Sequence, residues 1–416
     1  MKVLVVGSGG REHAIVSKVL ENPRVSAVYC APGNGGTSRE DKCTNINIKE
    51  IHELLEFAME NKIDITIVGS EELLVKGIAD KFKEKGLKIL GPSEKAAKLE
   101  GSKSYSKEFM KKYGIKTAAY EVFESQSEAT AYLEKCEYPI VIKADGLAAG
   151  KGVVICDNFS NAKDCINDFM VVDIFKGSGK KIVIEEFLQG VEASILSITD
   201  GKVILPFISS KDHKQIFDGN KGPNTGGMGV IAPNPYCSAE VLDEFEKHIL
   251  APTLKGIQEE TMDYKGIIFF GVMITKKGVY LIEYNVRFGD PETQAVLPLM
   301  KSDFVELVLS AIDGNLDDFN LQWNKGCTCC LIAASKGYPG SYDTGLEIKE
   351  LDKLQGKLFV AGAKEEEGML KTNGGRVFGI TALAQTLEEA RKTAYDDMEK
   401  IQFEGMYYRR DIGKSE

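Results

Sequence analysis

At 416 residues, 43% hydrophobic and 27% charged, the chain is too long for one ordinary core and suited to globular folding in water, which predicts roughly two to four domains. A formal charge of −10, with no lysine stripe interleaved by aromatics, argues against a nucleic-acid partner. No apolar run approaches the ~18 residues of a bilayer span. Nine cysteines without staple or zinc spacing fit a reducing compartment, so a cytoplasmic protein with no membrane partner is expected.

"KVLVVGSGGREHAIVSKVL" predicts a strand over 2–6, a glycine turn and a helix over 13–20. Strands follow in "VSAVYCAPG", "IDITIVG" (63–69) and "LKILGPS" (87–93), separated by helices over 50–61 and 74–85. This alternation predicts an open α/β domain over 1–101. A helix over 102–113 leads to strand, glycine loop and strand in "YPIVIKADGLAAGKGVVIC", then to several strands in "KIVIEEFLQGVEASILSITDGKVILPFIS". A helical stretch over 239–260 precedes a strand pair around 267–286. Beyond 326, "CTCCLIAAS", "KLFVAGAKEE", "LKTNGGRVFGITALA" and a helix near 386–400 predict a small α+β domain. "CTCC" at 327–330 sits in an apolar run and suits core side chains better than metal ligands.

"GSGGRE" matches part of a dinucleotide fingerprint, but "YCAPGNGG" after the second strand lacks the acid that would hold an adenosine ribose. A second glycine loop, 33–36, stands there instead. Two such loops at the carboxyl ends of neighbouring strands make a phosphate cradle, with free amides as donors and Arg11 adding charge. Tight turns required only by the fold are the alternative.

"VIKADGLAAGKGV" sets Lys143 in an apolar strand, where a lysine must meet an anion. The loop from Gly146 to Gly152, carrying Lys151, suits phosphates although it lacks P-loop spacing; a mobile surface hairpin is the alternative. "IVIEEFLQGVEAS" offers Glu185, Glu186 and Glu192 either to ribose hydroxyls or to a solvated turn. Asp212, His213 and Lys214 precede a long loop rich in glycine, Gly219, Gly222, Gly226, Gly227 and Gly229, as close backbone approach to a ligand would require. His213 has no spaced histidine partner for zinc.

"VYLIEYNVRFGDPET", 279–293, ends an apolar strand in charge. Residues two apart on a strand share a face, so Glu283 and Asn285 point together. Both present oxygen, which suits a hard divalent cation bridging nucleotide phosphates. Arg287 would clamp a phosphate or carboxylate, and Asp290 and Glu292 would orient an amine or pair with Arg287. A self-satisfied ionic turn is the alternative.

Together with "APGNGGT", "LEGSKSYSKEFM", "GPNTGGMG", "RFGDPETQ", "GYPGSY" and "TNGGRV", the stretches from "GSGGRE" onward run in order from residue 7 to 377. The chain resembles the glycinamide ribonucleotide synthetases of the ATP-grasp superfamily over essentially its whole length. "GPNTGGMG" and "RFGDPETQ" are specific to the likeness; the amino-terminal glycines are not. The resemblance implies an ATP-grasp fold: a Rossmann-like N-terminal domain over 1–101, similar to that of biotin carboxylases, an ATP-grasp domain over 102–325 with a lid at about 120–190, and a small C-terminal α+β domain over 326–416. It implies ligation of glycine to 5-phosphoribosylamine through a glycyl phosphate in purine synthesis. The expected cofactors are ATP and Mg2+ (or Mn2+), and a stand-alone monomer without domains fused downstream is expected.

Carried over by position, Lys103 and Lys143 meet the ATP phosphates under a loop containing Gly146, Gly150, Lys151 and Gly152. Glu185, Glu186, Phe187 and Leu188 border the adenine, with Glu192 on the ribose. Glu283 and Asn285 are the implied metal ligands, and Asp212, Lys214, Arg287 and Asp290 surround glycine and the reacting phosphate. Gly9, Gly10, Arg11, Glu12, Gly33, Asn34 and Gly35 would hold phosphoribosylamine. Asn224, Thr225, Gly226, Gly227, Met228 and Gly229 would line the same cleft. No side-chain nucleophile is expected.

One departure stands out. The family commonly has Gly-Pro-Glu-x-Pro-Leu where residues 69–74 read "GSEELL", which keeps Gly69 and Glu71 but loses both prolines and their restriction of the backbone. Glu71 remains able to face the ribose of phosphoribosylamine. Three rivals remain: another ATP-grasp ligase such as a carboxylase, which would differ at "GPNTGGMG" and "APGNGG"; a nucleotide-binding regulator, which would lack the metal pair or substrate loops; and an oxidoreductase, disfavoured by the missing acid.

Overall fold

The computed structural model describes residues 1–148, 150–351 and 353–414. Ala149, within the glycine loop 146–152, lies outside the described residues. Lys2–Gly7, Ala27–Pro32, Cys43–Asn45, Ile65–Val68 and Ile89–Pro92 pair in parallel. The crossovers between them return the chain to the same end of the sheet, with the first strand in the middle. Helix Ile51–Glu60 shows why: Ile51, Leu54 and Ala58, spaced three and four apart, are its buried residues. The helix expected over 74–85 is two helices, Glu71–Val75 and Ile78–Glu84, broken at Gly77 with φ +77°. Glu71 thereby becomes the first residue of a helix instead of part of a loop.

The sheet then continues into the centre of the chain. Tyr264–Thr275 docks antiparallel on Ile89–Pro92 through Tyr264 against Pro92 and Lys265 against Gly91. It carries Val191–Thr199 and Gly278–Asn285, so N-terminal and central strands form one nine-stranded sheet. A bulge against Gly271 and Val272 leaves Ile282 extra. After it, Glu283 and Asn285 sit opposite Gly271 and Phe269 in regular register, on one face.

Tyr120–Phe123, Ile182–Glu186, Ile140–Ala144 and Val153–Cys156 make a separate antiparallel sheet in the stretch expected as the lid. Its core joins Ile140, Ile142 and Ile184 to Leu133 and Ile166 of the helices behind it. The third sheet orders Lys211–Asp212, Gly229–Ala232, Cys327–Ala334, Arg376–Ala384 and Lys357–Val360. It therefore crosses the boundary placed at 325/326. The "long loop" after Asp212 is corrected here: besides Gly229–Ala232 it contains a hairpin, Gln215–Phe217 with Lys221–Asn224. Cys329 and Cys330 are buried core, and all nine cysteines are free. Helix Leu387–Met398 starts at a capping box of Thr386 and Glu389. Among the described residues no helix is long and apolar enough to cross a membrane.

Candidate active site

A cavity of about 290 Å³ opens between the lid sheet and the end of strand Gly278–Asn285. Val141, Val153, Ile155, Phe187, Leu188 and Met273 give it apolar wall, as a flat heterocycle requires. Lys103, Lys143, Lys214 and Arg287 bring cations to the same space, and Glu71, Glu192, Asp212, Glu283, Asp290 and Glu292 bring carboxylates. Gly146, Gly150, Gly152, Glu185, Glu186, Asn224, Thr225, Gly226 and Asn285 complete the set of expected residues that meet here.

The cations are paired already. Lys103 Nζ is 2.9 Å from Glu283 Oε2, and Lys214 Nζ is 2.7 Å from Glu192 Oε2. The anion that Lys143 had to meet is Glu185, at 2.9 Å. Glu185, part of the cavity lining, is thus held by Lys143, while Glu186 Oε1 accepts from the Ala119 amide at 3.0 Å. Burial alone would push the carboxyl of Glu283 up, but Lys103, then Lys214 and Lys143, hold it well below the usual carboxylate range. For Lys103 burial works downward and Glu283 outweighs it, so its pKa rises. Glu283 is therefore ionised and, with Asn285 two residues on, presents oxygen donors suited to magnesium or manganese.

Asp212 and Glu292 behave oppositely. Burial, then the charge of Glu292, pushes Asp212 well above the ordinary aspartate value, and burial likewise raises Glu292. Asp212 Oδ1 is buried without a hydrogen-bond partner. Two carboxyls held this way form a spot that a cationic group would relieve. The "GPNTGG" loop lies directly over it. A Cβ on Gly227 (φ +113°) would stand 2.6 Å from Asp212 Oδ1 and 2.5 Å from Pro291 Cδ.

Of the two alternatives for Asp290 and Glu292, pairing with Arg287 is not the one found. Asp290 and Glu292 do not pair with it: Arg287 meets Glu71 at 3.2 Å and Glu100 at 3.1 Å. Asp290 meets Arg376 at 3.3 Å, and Glu292 accepts from Ser194 Oγ at 3.1 Å. Burial raises Asp290, but Arg376 and then Arg11 outweigh it and hold its pKa low. The sequence reading missed Glu100, Arg376 and Lys107, the last of which stands 3.0 Å from Glu185.

The amino-terminal loops do not line the cavity. Glu12 is fully buried, accepting from the Gly9 amide and Arg11 Nε, each at 2.6 Å, and Gly7, Gly9 and Gly69 close around it. Asn34 donates to Ser8, Gly9 and Val360 carbonyls and accepts from the Gly36 and Thr37 amides. The amides of Gly33 and Gly35 bond Gly7 and Ala363. Free amides were expected at 33–36; there they serve the fold. Gly10 packs against Gln294, and Arg11 reaches the site's edge, donating to the Phe288 carbonyl at 3.0 Å and lying 3.9 Å from Glu71. Met228 is buried with Ile216 and Ala334, Gly229 begins a strand, and Lys151 is exposed on the lid loop. His213 is buried against the Gly229 carbonyl, its pKa pulled down to about 4 chiefly by burial.

Family models for phosphoribosylglycinamide synthetase match along the chain: the N domain over residues 1–100, the ATP-grasp (A) domain over 101–293 and the C domain over 328–415. The biotin carboxylase domain of the 2-oxoglutarate carboxylase of Hydrogenobacter thermophilus shares the fold at TM-score 0.75, with 18% identity over 98% of this chain and 91% of that one. Fold and cavity define an ATP-grasp ligase. The phosphoribosylamine–glycine ligase of Clostridium acetobutylicum is 65% identical over 100% of both chains, and that of Fusobacterium nucleatum 52% over 99% and 98%. The crystal structure of the Thermotoga maritima phosphoribosylamine–glycine ligase superposes at TM-score 0.88, with 36% identity over 99% of this chain and 100% of that one. The chain belongs to the phosphoribosylamine–glycine ligase family.

Proposed function

We infer that the chain joins glycine to 5-phosphoribosylamine at the expense of ATP, giving glycinamide ribonucleotide, ADP and phosphate in purine biosynthesis. The observation that carries this reading is one cavity holding both a lysine-flanked pair of oxygen donors, Glu283 and Asn285, and an acidic spot of Asp212 with Glu292 in which Asp212 Oδ1 is buried without a hydrogen-bond partner. The first suits a metal-bound triphosphate; the second suits an ammonium group.

Lys103 and Lys143 hold the phosphates, leaving Glu283 and Glu185 to do so. Glu283 and Asn285 would hold magnesium or manganese, which when bound supplies charge neutralisation to the phosphates. Asp212 and Glu292 take the ammonium of glycine, and Lys214 and Arg287 neutralise its carboxylate beside the γ-phosphate. A carboxylate is a poor acyl donor until its oxygen becomes a phosphate leaving group, so the chemistry passes through glycyl phosphate. The lid must exclude water, which would hydrolyse that species. Phosphoribosylamine enters along Glu71 and Asn224 to Gly226, where its amine is held against the acyl carbon. A monomer is the working unit of this reading, and the substrates are those of cytoplasmic metabolism.

The test is ADP formation by purified protein with ATP, magnesium and glycine, with freshly generated phosphoribosylamine added or withheld and the product weighed by mass spectrometry. Turnover requiring both substrates, with glycinamide ribonucleotide appearing, is expected. Magnesium-dependent ATP turnover without that product overturns the substrate assignment and leaves only the ATP-grasp site.

A further inference from the structure

Lys107 belongs to the helix Lys103–Lys112, one turn beyond Lys103 and therefore on the same face. Its side chain is 2% exposed, Glu185 is 4% and Lys143 is 3%. One carboxylate is thus shared by two buried lysines: Oε2 lies 3.0 Å from Lys107 and Oε1 lies 2.9 Å from Lys143. Lys107 also donates to Thr117 Oγ1 at 2.7 Å, and that hydroxyl donates on to the Leu281 carbonyl at 2.6 Å. The ring of Tyr120 lies beneath its ammonium at 5.5 Å. Lys143 lines the cavity, whereas Lys107 is not among the residues that do.

Charge counting gives this arrangement a purpose. A lone Lys143–Glu185 pair would be neutral and self-satisfied, with little attraction for an anion. A third charge placed behind the carboxylate changes this. Glu185 is then balanced from the far side, and these three side chains carry one net positive charge, presented to the cavity on Lys143, which also faces Glu283. That excess is costly in a buried setting unless an anion arrives. At Lys107 burial pulls the pKa down to about 8 against the pull of Glu185, with the like charge of Lys143 adding to the fall.

We propose that Lys107 is a positioning residue for nucleotide binding: by balancing Glu185 from behind, it leaves the charge of Lys143 free for a phosphate in the cavity. This rests on the reading of the cavity as the ATP site. Lys107 touches no substrate. It acts through Glu185 on Lys143, so its loss leaves every cavity-lining side chain present and removes only the excess charge.

The experiment measures affinity for ADP and, by competition, for adenosine, which has no phosphate, together with steady-state KM and kcat. Lys107→Met is expected to weaken ADP by about tenfold or more and to raise KM for ATP, with adenosine affinity and KM for glycine unchanged. Lys107→Arg should restore ADP binding. The decisive variant is Lys107→Met with Glu185→Gln, which frees Lys143 again and should return ADP affinity to within about threefold of the unsubstituted protein. A structural role for Lys107 gives no such recovery, and its loss would weaken adenosine as much as ADP; either result overturns the proposal. Should Lys107→Met not fold, Glu185→Gln alone decides. It should bind ADP at least as tightly as the parent, and a loss beyond about tenfold overturns the proposal. Lys143→Met separates the two levels: unchanged ADP affinity there overturns the ATP-site reading of Lys143 itself, whereas weakened ADP there with no effect of Lys107→Met overturns this proposal alone.

Discussion

Glu100 Oε1 stands 3.1 Å from Arg287 Nη2 while Glu100 Oε2 accepts the Val286 amide at 2.7 Å. One carboxylate at the end of helix Glu94–Gly101 thus fixes both backbone and side chain where strand Gly278–Asn285 gives way to the site. Burial raises the pKa of Glu100 despite Arg287. An acid whose folded pKa lies above its unfolded one loses stability as pH rises between the two values, so this charge is held at a cost.

Glu100→Gln keeps an acceptor for Val286 and removes that charge. Stability should change by less than about 1 kcal/mol while kcat/KM for glycine falls about ten- to a hundredfold, because Arg287 is no longer aimed. Glu100→Ala also orphans the amide and should cost about 3 kcal/mol. Thermal melts and steady-state kinetics separate the two effects, and a Gln variant with full activity would dismiss the positioning role.

The metal pair makes a sharper demand. Asn285→Ala should raise the magnesium concentration for half-maximal ADP formation by about tenfold or more, with nucleotide affinity in the absence of metal unchanged. Glu283→Gln should do the same and also flatten the acid side of the stability curve. The folded pKa of Glu283 is depressed, so its pairing with Lys103 stabilises the fold above the unfolded carboxylate value of ~4.3 and is lost as pH falls through the folded value. Urea melts from neutral pH down to about pH 3 check this, and an unaltered curve in the variant would count against the pair.

Asp212 predicts a trade between stability and function. Its folded pKa and that of Glu292 are both raised, so the empty protein is destabilised as pH climbs past the unfolded carboxylate range. Asp212→Asn removes one of two like charges and should stabilise the ligand-free protein by about 1–2 kcal/mol at pH 8, with the gain vanishing toward acid. The same change should raise KM for glycine at least about tenfold. A variant that is no more stable, or that binds glycine normally, contradicts the ammonium-site reading.

The pattern of these residues explains what the sequence disclosed. Glu283 and Asn285 were legible because strand period two puts them on one face, and the bulge ends before them. The parallel strands were legible as β-branched runs between amphipathic helices. Glu100 was not: in "KAAKLEG" a glutamate on a short helix suits solvent, and nothing local says that residue 286 will come to it. Lys107 was hidden among the basic residues of its helix, although its place four after Lys103 was a usable signal. The contacts that Asn34 and Glu12 make within the fold were hidden for a related reason. Polar residues in glycine loops suit ligands, but here a capping glutamate and an amide bridging to Val360 satisfy backbone that close packing had buried. The short strands around "GPNTGGMG" escaped because two to four residues carry no periodicity.

Arg376 offers the test of how the third sheet supports the site. From the start of strand Arg376–Ala384, its Nη1 donates to the Gly226 carbonyl at 2.6 Å and the Asp290 carbonyl at 2.8 Å, and Nη2 lies 3.3 Å from Asp290 Oδ1. One guanidinium thus ties the "GPNTGG" loop to the turn that carries Asp290. A lysine offers a single point of charge and cannot span these acceptors. Arg376→Lys should leave Asp290 ionised but let the loop drift from Asp212, lowering kcat/KM about ten- to a hundredfold and stability by about 1–3 kcal/mol. Limited proteolysis should then cut within 219–228 faster than in the parent protein. If cleavage there and kcat/KM both stay at parent levels, the loop is held by its own hairpin, and the third sheet contributes packing to the active site but not its geometry.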